Sequence, residues 1–123
     1  MTRVLIVEDQ ADIRMLIRMT LEFEPYEIHE AACGDEGLAL AQALQPDLML
    51  LDVMMPGRLD GLQVCARVRE LPALASTRVV LLTARGQSQD LEAGNRAGAD
   101  AYLIKPFSPL QLVETLERLL GPG

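Results

Sequence analysis

Five side chains with chemical potential follow short apolar runs. Glu8 and Asp9 come directly after Val4-Leu5-Ile6-Val7, and Asp52 follows Leu48-Met49-Leu50-Leu51. Thr83 follows Val79-Val80-Leu81-Leu82, and Lys105 follows Tyr102-Leu103-Ile104. If the two acidic runs are neighbouring strands, three carboxylates, a hydroxyl and an ammonium gather at one end of a sheet. Carboxylates about 4 Å apart repel by roughly 4 kcal/mol per pair at an effective dielectric near 20. Lys105 offsets one charge. A divalent cation would offset two more, and hard oxygen ligands suit Mg²⁺, with Mn²⁺ as a substitute. Mg²⁺ keeps several waters and binds best through one or two carboxylates plus phosphate oxygens. The pattern therefore anticipates a site for a phosphoryl group.

The elements that would position these groups are legible. Four short apolar runs without alternation suggest strands buried on both faces, as in a parallel sheet covered by helices. A fifth candidate, Tyr26–Ala31, mixes polar and apolar residues, as an edge strand does. Helical stripes lie between the runs: Ile13, Leu16, Ile17 and Leu21; Leu38, Ala41 and Leu44; Val64, Cys65, Val68 and Leu71; Leu112, Val113, Leu116, Leu119 and Leu120. Asp60 and Ser108 each stand three residues before a Gln, which marks them as N-caps, and Pro109 follows Ser108 at the first helical position. The stretch 88–97 is the weakest helix, because Gly94 and Asn95 interrupt it. It reads equally as an element able to shift or as a poorly packed surface helix. The order is β-α five times, an α/β fold in which sites form beyond the carboxyl ends of the strands.

Composition narrows the function. The chain has 123 residues, 50% hydrophobic and 24% charged, which predicts a single domain over 1–123. With 11 Lys and Arg against 18 Asp and Glu the net charge is −7, so direct nucleic-acid binding by this domain is not expected. Trp is absent, and two Tyr and two Phe give no stacking platform for single strands. Cys33 and Cys65 have no metal or redox spacing and read as packing residues in a reduced, cytoplasmic chain. No apolar run is long enough for a membrane span. His29 stands alone and is not a ligand. Asp12 reads equally as an extension of the acidic mouth or as an acid of a helix's first turn.

Taken together, Val7-Glu8-Asp9, Leu51-Asp52-Val53-Met54-Met55-Pro56-Gly57, Leu82-Thr83-Ala84 and Gly98-Ala99-Asp100-Ala101-Tyr102 through Lys105-Pro106-Phe107 resemble the receiver domain of two-component response regulators. The resemblance runs from Arg3 to Leu120. It implies a flavodoxin-like (βα)5 doubly wound parallel five-stranded sheet with strand order 2-1-3-4-5. It implies that Asp52 is the phosphoacceptor, taking a phosphoryl group from a histidine kinase or phosphotransfer protein. Glu8, Asp9, Asp52 and the backbone carbonyl of Met54 would hold Mg²⁺. Lys105 and Thr83 would contact phosphoryl oxygens. Thr83 and Tyr102 would act as the switch, and Lys105–Pro106 would be a cis junction. The surface of the fourth helix, fifth strand and fifth helix would change and engage an output protein or an output domain. Such a protein is a switch rather than an enzyme, catalysing only its own phosphorylation and dephosphorylation.

Several features are particular to this chain. Gly57-Arg58-Leu59 makes the loop after Pro56 one residue longer than is commonest in the family. Met54 and Arg85 occupy the positions two beyond Asp52 and Thr83, which tune acyl phosphate lifetime. Positions that often carry dimer-forming charges hold Ala101, Gln111 and Thr115, so a monomer or a weak phosphorylation-dependent dimer is expected. Two other functions fit less well. A flavin or nucleotide site would cradle phosphate after the first strand, but that loop, Glu8-Asp9-Gln10-Ala11-Asp12, is acidic. A phosphatase with an aspartate nucleophile needs a general acid where Met54 stands.

Overall fold

In the computed structural model, which describes residues 1–84 and 88–121, strands and helices alternate strictly along the chain. The strands are β1 (Thr2–Val7), β2 (Tyr26–Ala31), β3 (Leu48–Asp52), β4 (Arg78–Ala84) and β5 (Ala101–Lys105). The helices are α1 (Ala11–Leu21), α2 (Gly34–Leu44), α3 (Gly61–Glu70), α4 (Ser88–Ala97) and α5 (Pro109–Leu120). A single 3₁₀ turn at Pro72–Leu74, not anticipated from sequence, leads into β4. All pairings are parallel, in the order β2-β1-β3-β4-β5. This is the flavodoxin-like order that the resemblance implied. Arg85, the position two beyond Thr83, lies outside the described residues.

The unbroken apolar runs have the physical cause anticipated for them. Each central strand is buried on both faces, so successive side chains enter opposite cores. Leu5, Val7, Met49, Leu51, Val79 and Leu81 pack against α2 and α3 on one side. Val4, Ile6, Leu48, Leu50, Val80 and Leu82 pack against α1 and α5 on the other. β2 is an edge, and charge covers it. Glu27 pairs with Arg3 at 3.0 Å and with His29 at 2.9 Å, while Glu30 pairs with Arg14 at 3.2 Å and with Arg18. Such charges discourage pairing with another chain's strand. His29 is accounted for as a hydrogen-bond partner of Glu27.

Helix signals hold with one exception. Asp60 and Ser108 each form a complete capping box, with Gln63 and Gln111 as the reciprocal partners. In α1, Ile17 and Leu21 are buried, but Leu16 is 47% exposed and so falls outside the core stripe. Leu59, in the longer loop, is buried, and its carbonyl lies against Gly34 at the start of α2. The added residue is thereby folded into the interior instead of hanging over the strand ends.

Because Asp60 serves as a cap, Asp60→Ala is expected to cost about 0.5–2 kcal/mol of stability without change of the folded secondary structure. Urea unfolding and far-ultraviolet circular dichroism on the same sample test both halves of that expectation.

Candidate functional site

The sheet order brings the acids together. β1 and β3 are adjacent, with Val7 opposite Leu51, so Glu8 and Asp52 leave the sheet side by side. Carboxylate oxygens of Glu8, Asp9 and Asp52 all lie within 4.8 Å of one another. Lys105, the last residue of β5, reaches across from the far edge. Its Nζ donates to Glu8 Oε1 at 2.7 Å and stands 3.1 Å from Asp52 Oδ1. Glu8 is fully buried and Asp52 is 3% exposed, while Asp9 is half-buried. Thr83 is still within the β4 ladder, opposite Ile104, and is buried one residue beyond the Leu82 that pairs with Asp52. The Lys105–Pro106 bond is cis, as the resemblance implied.

Local backbone contacts fix Asp52. The amide of Met54 donates to Asp52 Oδ1 at 3.3 Å, and the amide of Val53 extends the ladder to the Leu82 carbonyl at 3.0 Å. Gly61, the first residue of α3, donates to the Val53 carbonyl at 3.1 Å. A Cβ on Gly61 would fall 2.8 Å from Val53 Cα and would collide with the Asp52 carbonyl oxygen. Only glycine lets α3 start this close to the strand end. Among the described residues the Met54 carbonyl accepts no hydrogen bond, while the Met54 side chain is exposed.

The electrostatics are those of an incompletely neutralised anion pocket. Burial raises the Glu8 carboxyl, and the neighbouring Asp52 raises it further. The bond to Lys105 offsets only part of this, and Glu8 is pushed up to about 7. Burial alone would pull the Lys105 ammonium down. Its bond to Glu8 and the charge of Asp52 outweigh that, so it sits above its ordinary value. Lys105 thus bridges two of three converging carboxylates. Clustered hard oxygens, two of them on buried side chains, together with a carbonyl without a partner among the described residues, fit a Mg²⁺-type cation.

Arg14 also belongs to this region, and nothing in its spacing had marked it. Its guanidinium donates to the carbonyls of Glu8 at 2.7 Å and Asp9 at 3.3 Å and pairs with Glu30, so α1 holds the acidic loop in place. Other candidates stand apart from the site. Asp12 is exposed and its carboxylate accepts from Ile13. Cys65 is buried, and burial pushes its thiol up to about 11, as for a packing residue, while Cys33 is half-buried. Tyr102 lies on β5 opposite Leu81, away from the acids, with its hydroxyl on α4.

A family model described as the response regulator receiver domain matches residues 4–117. The transcriptional regulatory protein ResD of Bacillus subtilis is 46% identical over 119 residues, covering 97% of this chain and 48% of ResD. The DNA-binding dual master transcriptional regulator RpaA of Synechocystis is 42% identical over 120 residues, covering 98% of this chain and 49% of RpaA. The chain therefore spans about half the length of these curated relatives. Among solved structures, the Vibrio cholerae chemotaxis response regulator CheY4 superposes with a TM-score of 0.90 at 35% identity, covering 97% of this chain and 98% of that one. The receiver domain of NtrX from Brucella abortus gives 0.86 at 32% identity, covering 98% and 99%.

The elevated Glu8 carboxyl has a consequence for stability. Between about 4.5 and about 7 the folded chain keeps a proton that the unfolded chain has released. Its contribution is complete below 4.5 and is lost as pH rises through 7. Without added metal, the stability of wild type relative to Glu8→Gln is expected to fall across that window. Urea titrations at a series of pH values check this, and a difference that rises with pH contradicts it.

Proposed function

The chain belongs to the response regulator receiver domains, and from that membership we propose that Asp52 accepts a phosphoryl group from a phosphohistidine on a histidine kinase or phosphotransfer protein. The observation that supports this most directly is Lys105 bridging Glu8 and Asp52 across the ends of β1, β3 and β5. A carboxylate oxygen of Asp52 forms a bond to phosphorus as the N–P bond of the donor breaks. The imidazole leaves with the electron pair, and an acyl phosphate remains. Such transfers depend chiefly on positioning and charge neutralisation. Gly61 and the Met54 amide hold Asp52, and Lys105 turns from it to a phosphoryl oxygen as the carboxylate is esterified. Thr83 donates its hydroxyl to another oxygen. Glu8, Asp9, Asp52 and the Met54 carbonyl are the residues that would hold Mg²⁺. When bound, the ion neutralises charge that Lys105 alone leaves uncompensated. In this reading the chain is a switch, acting only on its own phosphorylation state.

The donor must approach from the carboxyl ends of the strands, and an apolar strip begins there. Ile13 and Leu16 of α1 with Lys105, Pro106 and Phe107 line a hollow of about 270 Å³ beside the site. Met15 and Met19 continue as exposed residues along α1, and Phe23, just past its end, is 92% exposed. Exposed apolar surface of this kind marks an interaction face, and here it is assigned to the kinase or phosphotransfer protein. The output surface is assigned to α4, β5 and α5, where Ile104 and Leu110 are exposed. Ala101 and Thr115 are buried on these elements, so this face lacks charged groups there for a dimer. RpaA is described as DNA-binding. For this protein, at net charge −7, any such contact is assigned to a partner or to a further domain.

One phosphoryl group per chain is expected from acetyl phosphate with Mg²⁺, none after chelation, and none in Asp52→Asn. Lys105→Ala is expected to fold yet signal poorly. Phos-affinity gels and intact mass after short incubation read the outcome, and equal modification of Asp52→Asn overturns the assignment. For Leu16→Asp, the ratio of the rate from a phosphohistidine protein to the rate from acetyl phosphate is expected to fall by about tenfold. An unchanged ratio removes α1 from the docking face.

A further inference from the structure

Gly94 and Asn95 weaken α4 as a helix, and the structure shows what occupies the place they leave. Tyr102 lays its ring against Gly94. A Cβ at that position would stand 2.8 Å from Tyr102 Cε1 and 2.6 Å from Leu81 Cδ1. The Tyr102 hydroxyl meets the Leu91 carbonyl at 2.9 Å and the Asn95 side-chain amide. A phenol has one proton. That proton is aimed at two acceptors on one helical turn, the Leu91 carbonyl and Asn95 Oδ1. Leu91, Gly94 and Asn95 are spaced i, i+3 and i+4, one face of one helical turn. They form a receptacle for a single side chain.

The end of α4 nearest this receptacle is itself held. Arg69 of α3 donates to the carbonyls of Gly98 and Thr77, each at 2.8 Å, and pairs with Asp100 at 2.6 Å. The same Asp100 carboxylate accepts the Val79 amide at 2.7 Å. α4 is thus pinned at its carboxyl end to α3 and to the start of β4, one turn beyond Asn95.

We propose that the Leu91–Gly94–Asn95 receptacle is a latch that holds Tyr102 on α4 and opposes the phosphorylated state. The proposal rests on the reading of Asp52, Thr83 and Tyr102 given above. Tyr102 and Thr83 are on the same sheet face, at adjoining register positions of β5 and β4. If Thr83 is drawn toward a phosphoryl group, the space it leaves becomes available to the tyrosine ring. Tyr102 cannot fill that space while its hydroxyl remains on Leu91 and Asn95. Release of the latch is therefore a cost of activation, and phosphorylation and latch contact are reciprocally coupled. A helix-weakening pair in α4 thereby sets how readily the switch responds.

The test uses beryllofluoride with Mg²⁺, a phosphoryl mimic, and the whole chain. Asn95→Ala removes the amide from an exposed position, and Tyr102→Phe removes the hydroxyl but keeps the ring. Each is expected to bind the mimic about three- to tenfold more tightly than wild type, the effect of one net hydrogen bond. Glu92→Ala, exposed on the same helix, controls for helix propensity and is expected to match wild type. With only two tyrosines in the chain, the ring resonances of Tyr102 are read against those of Tyr26. They are expected to shift in Asn95→Ala before any mimic is added. Wild-type affinity in both variants, or an equal gain in Glu92→Ala, overturns the latch while leaving the phosphoacceptor reading intact. Equal binding of the mimic by Asp52→Asn overturns that reading, and the latch with it.

Discussion

Two carboxylates that share one ammonium, almost out of reach of water, are the constraint around which this molecule is arranged. Glu8 and Asp52 cannot both be buried as charges without Lys105, and Lys105 cannot be withdrawn from solvent without them. A buried pair of this kind is weak evidence of stability, because desolvation consumes much of what Coulomb attraction supplies. Its retention in the centre of the strand ends makes sense as chemistry held in readiness. The elevated Glu8 carboxyl and the elevated Lys105 ammonium are two signs of the same tension: the pocket has more acid than base.

The scaffold resolves where that tension is allowed to exist. Five parallel strands with both faces covered produce two aliphatic cores, and those cores need no polar group. The polar chemistry is displaced to the carboxyl ends, where backbone amides are no longer committed to the ladder. Gly61 and the capping box at Asp60 bring α3 against Asp52 without a side chain between them. Arg14 does the corresponding work at Glu8 and Asp9 from α1. Positioning comes from two helix starts, one on each face of the sheet.

Much of this could be read from the residues because the signals are local. Burial on both faces forces unbroken apolar runs, and a cap must stand at a set distance from its partner, so the strands, Asp60 and Ser108 were all recognisable. Tyr26–Ala31 betrayed its edge position by its charges. Strand order is different in kind. No short segment records which strand lies beside it, and 2-1-3-4-5 came from resemblance to a family. Leu16 was misplaced in the core stripe of α1 because periodicity identifies an apolar face without saying how far the protein's own core extends over it. Arg14 went unmarked as well, and Gly94 and Asn95 were marked only as weak points of a helix, not as a seat for Tyr102. Each acts through a contact with a residue on another element, and a single arginine or glycine has no pattern to announce it.

The pairing of Lys105 with Glu8 joins residues 97 positions apart. On a ribosome the acidic half of this chain emerges long before its lysine does. Until β5 docks, Glu8 and Asp52 lack their internal counterion, and the strand ends remain an unfinished, mutually repelling edge. A folding intermediate with every strand but the last is thus electrostatically marked as incomplete, and the final strand delivers both the missing ladder and the missing charge in a single event.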